Sequence, residues 1–360
     1  MRIMDVYSRI FLAGCWERSQ NMTMNLEIVA KMSGVSRSTV SRVINDDPNV
    51  SEKTRTKVLE VVRQLNYEPN AAARSLAAGR TRVLGLVIPR GVSALFTDPY
   101  FPILIQGISS ACNAHDHSVM LWLAEPEYER RTIRQIMHSG LIDGVIMASQ
   151  LNDDPVGQAL LEGDLPFILV GRHPTQPNVN YVDIDNENAA REAVTHLLRL
   201  GRRRVAALTG PENMIAGLDR KTGYLAALRQ RGLPIDPNLI VEGDFSQAGG
   251  YAAMQRLLPH HPDAVFAASD SMAAGALHAL REAGRDVPEE VAVVGFDDMP
   301  FAAQTTPALT TVRQPTHRVG VMAAETLIDL IENSDSPAQP RRIVLPTELV
   351  IRQSCGALSK

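Results

Sequence analysis

Cysteine is scarce in this chain. Its 360 residues hold three, Cys15, Cys112 and Cys355, at spacings that match neither a disulfide framework nor a zinc ligand set. Long apolar runs are missing too, and no segment approaches the roughly 20 residues that span a bilayer. Catalytic signatures are absent: there is no P-loop, no G-x-S-x-G elbow and no H-E-x-x-H helix. The Gly249-Gly250 pair lacks the strand-to-helix setting of a dinucleotide fingerprint. Net basic charge is lacking as well, since 40 acids outnumber 36 lysines and arginines. These absences argue against a disulfide scaffold, a membrane protein, an enzyme of the common motif classes and a wholly basic nucleic-acid coat. A cytoplasmic protein without cofactor or metal is the expectation, and His115-Asp116-His117 reads as surface.

What charge there is, is unevenly spread. Residues 23–80 carry nine lysines and arginines against six acids, while residues 81–360 carry a net charge of −8. A basic head on an acidic body fits one end on phosphate and a soluble remainder. Ahead of the head, Leu12-Ala13-Gly14-Cys15 looks like a lipoprotein cleavage box. Asp5, Ser8 and Arg9 interrupt the apolar stretch that a signal peptide needs. Residues 1–22 are expected to be a disordered extension, or to precede a true start at Met22 or Met24.

Residues 25–45, NLEIVAKMSGVSRSTVSRVIN, read as two short helices around a tight turn. Leu26, Val29 and Ala30 share one face, Gly34 supplies the left-handed turn, and Ser36 caps a second helix. In that second helix Val40, Val43 and Ile44 form the buried stripe. Arg37, Ser38, Ser41 and Arg42 point the other way, as in a recognition helix entering a major groove. A third helix over 51–66 starts at Ser51 and should bury Val58, Leu59, Val62 and Leu65. After Asn66-Tyr67-Glu68-Pro69, Asn70 can cap a helix from Ala71 to Ala77. That helix is too short to stand unsupported in water.

Beyond Arg82 the pattern changes. Apolar runs at 83–89, 119–123, 144–149, 166–171, 205–210, 264–269 and 291–296 read as buried parallel strands, with helical stretches such as 187–201 and 271–284 between them. This is a doubly wound α/β body, in which ligands bind beyond the carboxyl ends of the strands. Polar and aromatic residues gather at those ends: Asp98-Pro99-Tyr100-Phe101, Asp270, and Asp297-Asp298.

The strings VSRSTVSRVIN, LNYEPN and ARSL, in that order and spacing, resemble the head of the LacI/GalR (lactose/galactose repressor) family. HLLRLGRRRVAALTGP, RKTGYLAAL, SDSMAAGALHALREAGRDVPEEVAVVGFDD and PALTTVRQP resemble segments of its body. The resemblance implies a helix-turn-helix DNA-binding domain over 23–69 and a hinge helix and linker over 70–80. It also implies a two-lobed, periplasmic-binding-protein-like effector and dimerisation domain over 81–356. Lobe one is expected at 81–184 and 313–333, and lobe two at 185–312 and 334–356, with three crossovers. Partners implied are operator double-stranded DNA, a second copy of the chain and a small-molecule effector, with a sugar favoured. Such a protein would be a ligand-responsive transcriptional repressor of a carbohydrate-utilisation operon. A transport-type sugar receptor and a regulator sensing a nucleobase are the rivals, and the head argues against the first.

Site roles follow from the resemblance by position. Arg37, Ser38 and Arg42 match base-reading residues, whereas Ser36, Thr39, Ser41 and Asn45 match residues that grip phosphate or support the helix. Tyr67 and Asn70 match backbone contacts. Arg74 is taken with the DNA contacts, and Leu76 matches a leucine that wedges between central base pairs. In the body, Tyr100, Phe101, Arg220, Phe245 and Asp297 match ligand-contacting positions, with Gln314 a weaker candidate. Ser269 stands where sugar-binding members often have Asn, and it cannot offer the same paired amide contact. Asp270 either touches ligand or caps the following helix, and Asp298 is expected to be structural. Arg172 falls at a variable position and is not assigned. The tail after Pro346 has no leucine heptad, so no helical tetramer is expected.

Overall fold

The structure, a computed structural model, describes residues 25–44, 46–67, 80–89, 92–122, 126–148, 154–176, 178–333 and 339–358. The expected extension over 1–22, and the hinge apart from Arg80, lie outside them. Two compact units are present, Met1–Thr81 and Arg82–Lys360. Among the described residues no helix is long and apolar enough to cross a membrane.

In the first unit, α1 (Leu26–Ser33) is capped by Asn25, whose side chain accepts from the Glu27 and Ile28 N–H groups. It stops at Gly34, whose φ of +65° is the left-handed conformation the turn requires. Ser36 then accepts from the Thr39 N–H at 3.1 Å and opens α2 (Arg37–Ile44). Ser51 caps α3 (Glu52–Gln64) in the same way. Val29, Ala30, Val40, Val43, Val58 and Val61 close a small core. On α3 it is Val58 and Val61 that are sealed, while Leu59, Val62 and Leu65 are half-buried. Three short helices enclose too little volume to cover the edges of each apolar stripe.

The second unit has two lobes, each built on a six-stranded sheet. Lobe one contains β1 (Val83–Val87), β2 (Ser118–Trp122), β3 (Gly144–Ala148), β4 (Phe167–Val170) and β5 (Tyr181–Ile184) in the parallel order β2-β1-β3-β4-β5. Helices α4 (Val92–Thr97), α5 (Tyr100–Ala114), α6 (Pro126–Met137) and α7 (Pro155–Glu162) connect these strands. Lobe two starts with α8 (Asn186–Arg199). It repeats the order with β6 (Val205–Thr209), β7 (Ile240–Glu242), β8 (Ala264–Ala267), β9 (Ala292–Asp297) and β10 (Thr310–Arg313), arranged β7-β6-β8-β9-β10. Its helices are α9 (Ile215–Gln230), α10 (Gln247–Leu257) and α11 (Asp270–Glu282). The inner strands β1, β3, β6 and β8 are short and almost continuously buried, as parallel strands covered on both faces must be.

The chain crosses between lobes three times. It passes from β5 into α8, then from β10 into α12 (Thr316–Glu332), which packs back on α5 and β3 in lobe one. The α5–α12 contact is unusually close. A Cβ on Gly107 would lie 2.1 Å from the His317 carbonyl oxygen, and one on Gly320 would lie 2.4 Å from that of Leu104. The last crossing corrects the expected lobe boundary. Residues 342–345, assigned to lobe two by sequence, form β11 (Arg342–Leu345) beside β5 in lobe one. Only β12 (Glu348–Val350), antiparallel to β10, joins lobe two. Pro346 interrupts the apolar run between them, so its two halves pair with different sheets.

Candidate functional site

The head presents one polar face. Arg37 and Arg42 have side chains 68% and 65% exposed on α2, held loosely by ion pairs of 3.8 Å to Glu27 and Asp47. Ser36 and Ser38 are exposed beside them, with Thr39 and Ser41 half-buried at the margin. Ser36 Oγ lies 2.8 Å from both Ser38 Oγ and Thr39 Oγ1. The opposite side of α2, Val40 and Val43, is sealed in the core. An exposed pair of guanidiniums beside small hydroxyls, on a short helix braced from behind, is suited to base edges and phosphates. Tyr67, expected at the DNA backbone, is 6% exposed and packs in the head core, so the structure gives its ring a packing role. Asn45, Asn70, Arg74 and Leu76 lie outside the described residues.

In the second unit the carboxyl ends of both sheets face a single cleft. Its void, counting the open mouth, is about 840 Å³, within the size range of small-molecule sites. Tyr100, Phe101, Arg220, Phe245, Ser269, Asp297 and Gln314 all line it. Asp98, Arg172, Asp183 and Asn186 line it as well, though sequence reasoning had not chosen them. Asp270 does not. Its carboxylate accepts from Thr311 Oγ1 at 2.5 Å and from the Met299 N–H at 2.7 Å, inside lobe two. Ser269, the residue before it, caps α11 by accepting from the Met272 N–H. Asp270 is therefore a brace between β10 and the loop after β9, and not a ligand contact.

Arg220, on α9, organises the floor. Its Nε donates to Asn186 Oδ1 at 2.9 Å, and its Nη1 donates to the Ala268 carbonyl at 2.6 Å and to Asp297 Oδ1 at 3.3 Å. The guanidinium stacks over Phe296, with Phe245 further off. Gln314 Nε2, at the second crossover, donates to Asp297 Oδ1 at 2.6 Å. From lobe one, Asp183 Oδ1 accepts from the Ile184 N–H and from Asn186 Nδ2. Tyr100 and Phe101 meet edge to face, with centroids 5.5 Å apart.

Burial sets the electrostatics. It pushes the Asp297 carboxyl up to about 7 against the pull of Arg220, and Asp183 up to about 6 against the Ile184 N–H. Asp270 is raised well above the usual carboxylate range by burial and by nearby Asp297. The backbone is strained at the same place. Phe245, Asp297 and Asp298 have φ of 67°, 120° and 56°, a region that side-chain-bearing residues avoid. Asp298 is pinned by Arg313 Nε at 2.7 Å and Arg352 Nη2 at 2.6 Å, the structural role expected for it. A Cβ on Gly210 would fall 2.1 Å from Cζ of Phe245, so glycine there is what makes room for the outer edge of the ring. Among the described residues no group of three or more His, Cys, Asp or Glu is placed to hold a metal ion.

Comparison with known proteins gives the same architecture. Residues 25–70 match the model of bacterial regulatory proteins of the lacI family, and residues 194–355 match a periplasmic binding protein-like domain. The HTH-type transcriptional regulator CelR of Thermobifida fusca is 40% identical over 333 residues, covering 91% of this chain and 97% of that protein. The ribose operon repressor of Escherichia coli K12 is 33% identical over 331 residues, covering 91% and 98%. A solved CelR–cellobiose complex superposes with a TM-score of 0.73 at 38% identity, covering 92% of this chain and 99% of that one. The lac repressor dimer bound to operator and the anti-inducer ONPF gives 0.80 at 28% identity, with the same coverage. The chain thus belongs to the lacI family of bacterial regulatory proteins, as a DNA-binding transcriptional regulator whose effector domain has the periplasmic-binding-protein fold.

Proposed function

We propose that this regulator represses carbohydrate-utilisation genes, binding a pseudo-palindromic operator as a homodimer and changing its grip when a sugar fills the cleft. The observation that carries the reading is the cleft itself. Aromatic rings from Tyr100 and Phe245 stand beside buried hydrogen-bonding groups on Arg220, Asp297 and Gln314 in one cleft. That combination suits a ligand with apolar faces and many hydroxyls. The CelR relative was solved as a complex with cellobiose, and another relative is named for a ribose operon. The lac repressor neighbour was solved as a dimer on its operator.

On this reading Arg37, Ser38 and Arg42 read bases, Ser36, Thr39, Ser41 and Asn45 hold phosphate, and Asn70, Arg74 and Leu76 serve the hinge. Leu76 would open a central base step, at a cost of a few kcal/mol that is offset by wider contact on bent DNA. Sugar and operator are linked through a coupling free energy between cleft and hinge, acting in the cytoplasm on the nucleoid. A thermal-shift screen of sugars and nucleobases, followed by operator binding with each hit, tests this. Sugars should raise the melting temperature and alter operator affinity. A response to nucleobases alone would refute the sugar reading, and hits that leave DNA affinity unchanged would refute the allosteric one.

A further inference from the structure

We infer that the cleft accepts an uncharged polyhydroxyl ligand, and that pairing of Arg172 with Asp219 across the lobes excludes sugar acids and sugar phosphates. The inference rests on the proposed sugar-binding role of the cleft and narrows it to one charge class.

Acidic side chains outnumber basic ones among the described residues that line the cleft. Asp98, Asp183 and Asp297 line it, against two guanidiniums, Arg172 and Arg220, and among the described lining residues there is no lysine or histidine. Neither arginine offers an uncompensated positive charge. Arg220 is buried and engaged by Asp297, Asn186 and the Ala268 carbonyl. Arg172, in the loop after β4 of lobe one, reaches Asp219 on α9 of lobe two, with Nη2 2.5 Å from Oδ1. Asp219 is itself buried, so its carboxylate depends on Arg172 for compensation. A carboxylate or phosphate entering here would have to share with Asp219 a guanidinium whose charge that carboxylate already offsets. It would also approach the carboxylates already present, in a site where water screens poorly.

A neutral polyol meets none of these penalties. Each hydroxyl both donates and accepts, so it can donate to the carboxylates and accept from guanidinium N–H groups that remain after ion pairing. Arg172 then keeps the two lobes tied while still contributing donors to the ligand.

Isothermal titration of the full-length protein with matched pairs tests this: glucose against glucuronate and glucose 6-phosphate, ribose against ribose 5-phosphate, and cellobiose alongside. Each measurement is repeated on Asp219→Asn, which leaves the Arg172 charge uncompensated, after its melting curve shows it folded. The expected result is binding of at least one neutral sugar, with its charged counterpart at least tenfold weaker. In Asp219→Asn that gap should narrow at least threefold. A charged sugar that binds the unsubstituted protein as tightly as its neutral partner overturns the inference. An unchanged gap in Asp219→Asn overturns the role given to the pair. Failure of every sugar, neutral or charged, overturns instead the carbohydrate reading on which the inference stands.

Discussion

The guanidinium carbon of Arg220 sits 3.7 Å from the centre of the Phe296 ring. One residue beyond that ring, Asp297 meets the same guanidinium at 3.3 Å. Strand β9 therefore delivers a flat aromatic support and a counter-charge to one arginine, and the arginine in turn spans α8, the end of β8 and β9. A cation buried on three sides is fixed in orientation before any ligand arrives, which is how a binding site avoids ordering costs on association.

Arg220 should be irreplaceable for that reason. Lysine carries the charge but not the planar fork, so Arg220→Lys cannot serve Asn186, Ala268 and Asp297 together. Effector affinity, measured by titration calorimetry, is expected to fall at least about tenfold, equivalent to about 1.4 kcal/mol. Arg220→Ala strands Asp297 and should cost roughly 3–5 kcal/mol of stability in urea denaturation.

Asp183 gives a pH signature. Burial raises its carboxyl to about 6 from an ordinary 3.8, so the folded state holds this proton more tightly than the unfolded chain. The stability this contributes is full below about pH 4 and is lost as pH rises through 6. Asp183→Asn removes the ionisation. Its stability relative to the unsubstituted protein should therefore improve between pH 4 and pH 8, by up to a few kcal/mol at about 1.4 per pKa unit. Melting temperatures across that range decide it, and a pH-independent difference would contradict the assignment.

Helix α12 returns to lobe one through a contact that tolerates no side chain. Gly107→Ala would set a methyl 2.1 Å from the His317 carbonyl oxygen. Overpacking of this kind costs about 1–3 kcal/mol, more than the helix-propensity gain of up to about 1 kcal/mol for Gly→Ala. A lowered denaturation midpoint is expected, and a raised one would mean that the helices separate freely.

On the head, Arg42 is exposed and opposite the buried Val40 and Val43. Arg42→Ala is expected to abolish specific operator binding while leaving non-specific binding nearly intact. An arginine on guanine discriminates by about 1–3 kcal/mol, whereas phosphate contacts hold any sequence. Footprinting that shows an unchanged protected site would contradict the base-reading role.

Much of this architecture could be read from apolar periodicity. Seven strands stood out as runs with four or more apolar residues, and the three head helices as three or four apolar residues on one face. Strands β5, β7, β10, β11 and β12 are three or four residues long with polar residues between, which is too little pattern to register. Asp183 was hidden with β5, and the lobe assignment of 342–345 failed with β11. Arg172 escaped for another reason: its partner Asp219 is 47 positions away and in the other lobe. Asp270 was visible as an acid at a strand end, but its side is decided by Thr311, 41 residues further on. Local pattern fixes elements, whereas cross-lobe pairs exist only once both sheets are assembled.

On the proposed reading, cleft and operator are energetically linked. Fluorescence anisotropy of the full-length protein on its operator, with and without a saturating sugar that raises its melting temperature, measures that link. A coupling of about 1–3 kcal/mol predicts that the operator Kd changes about 5- to 150-fold, and that operator shifts sugar affinity by the same factor. Identical operator Kd values with and without bound sugar would mean that cleft and operator are not coupled.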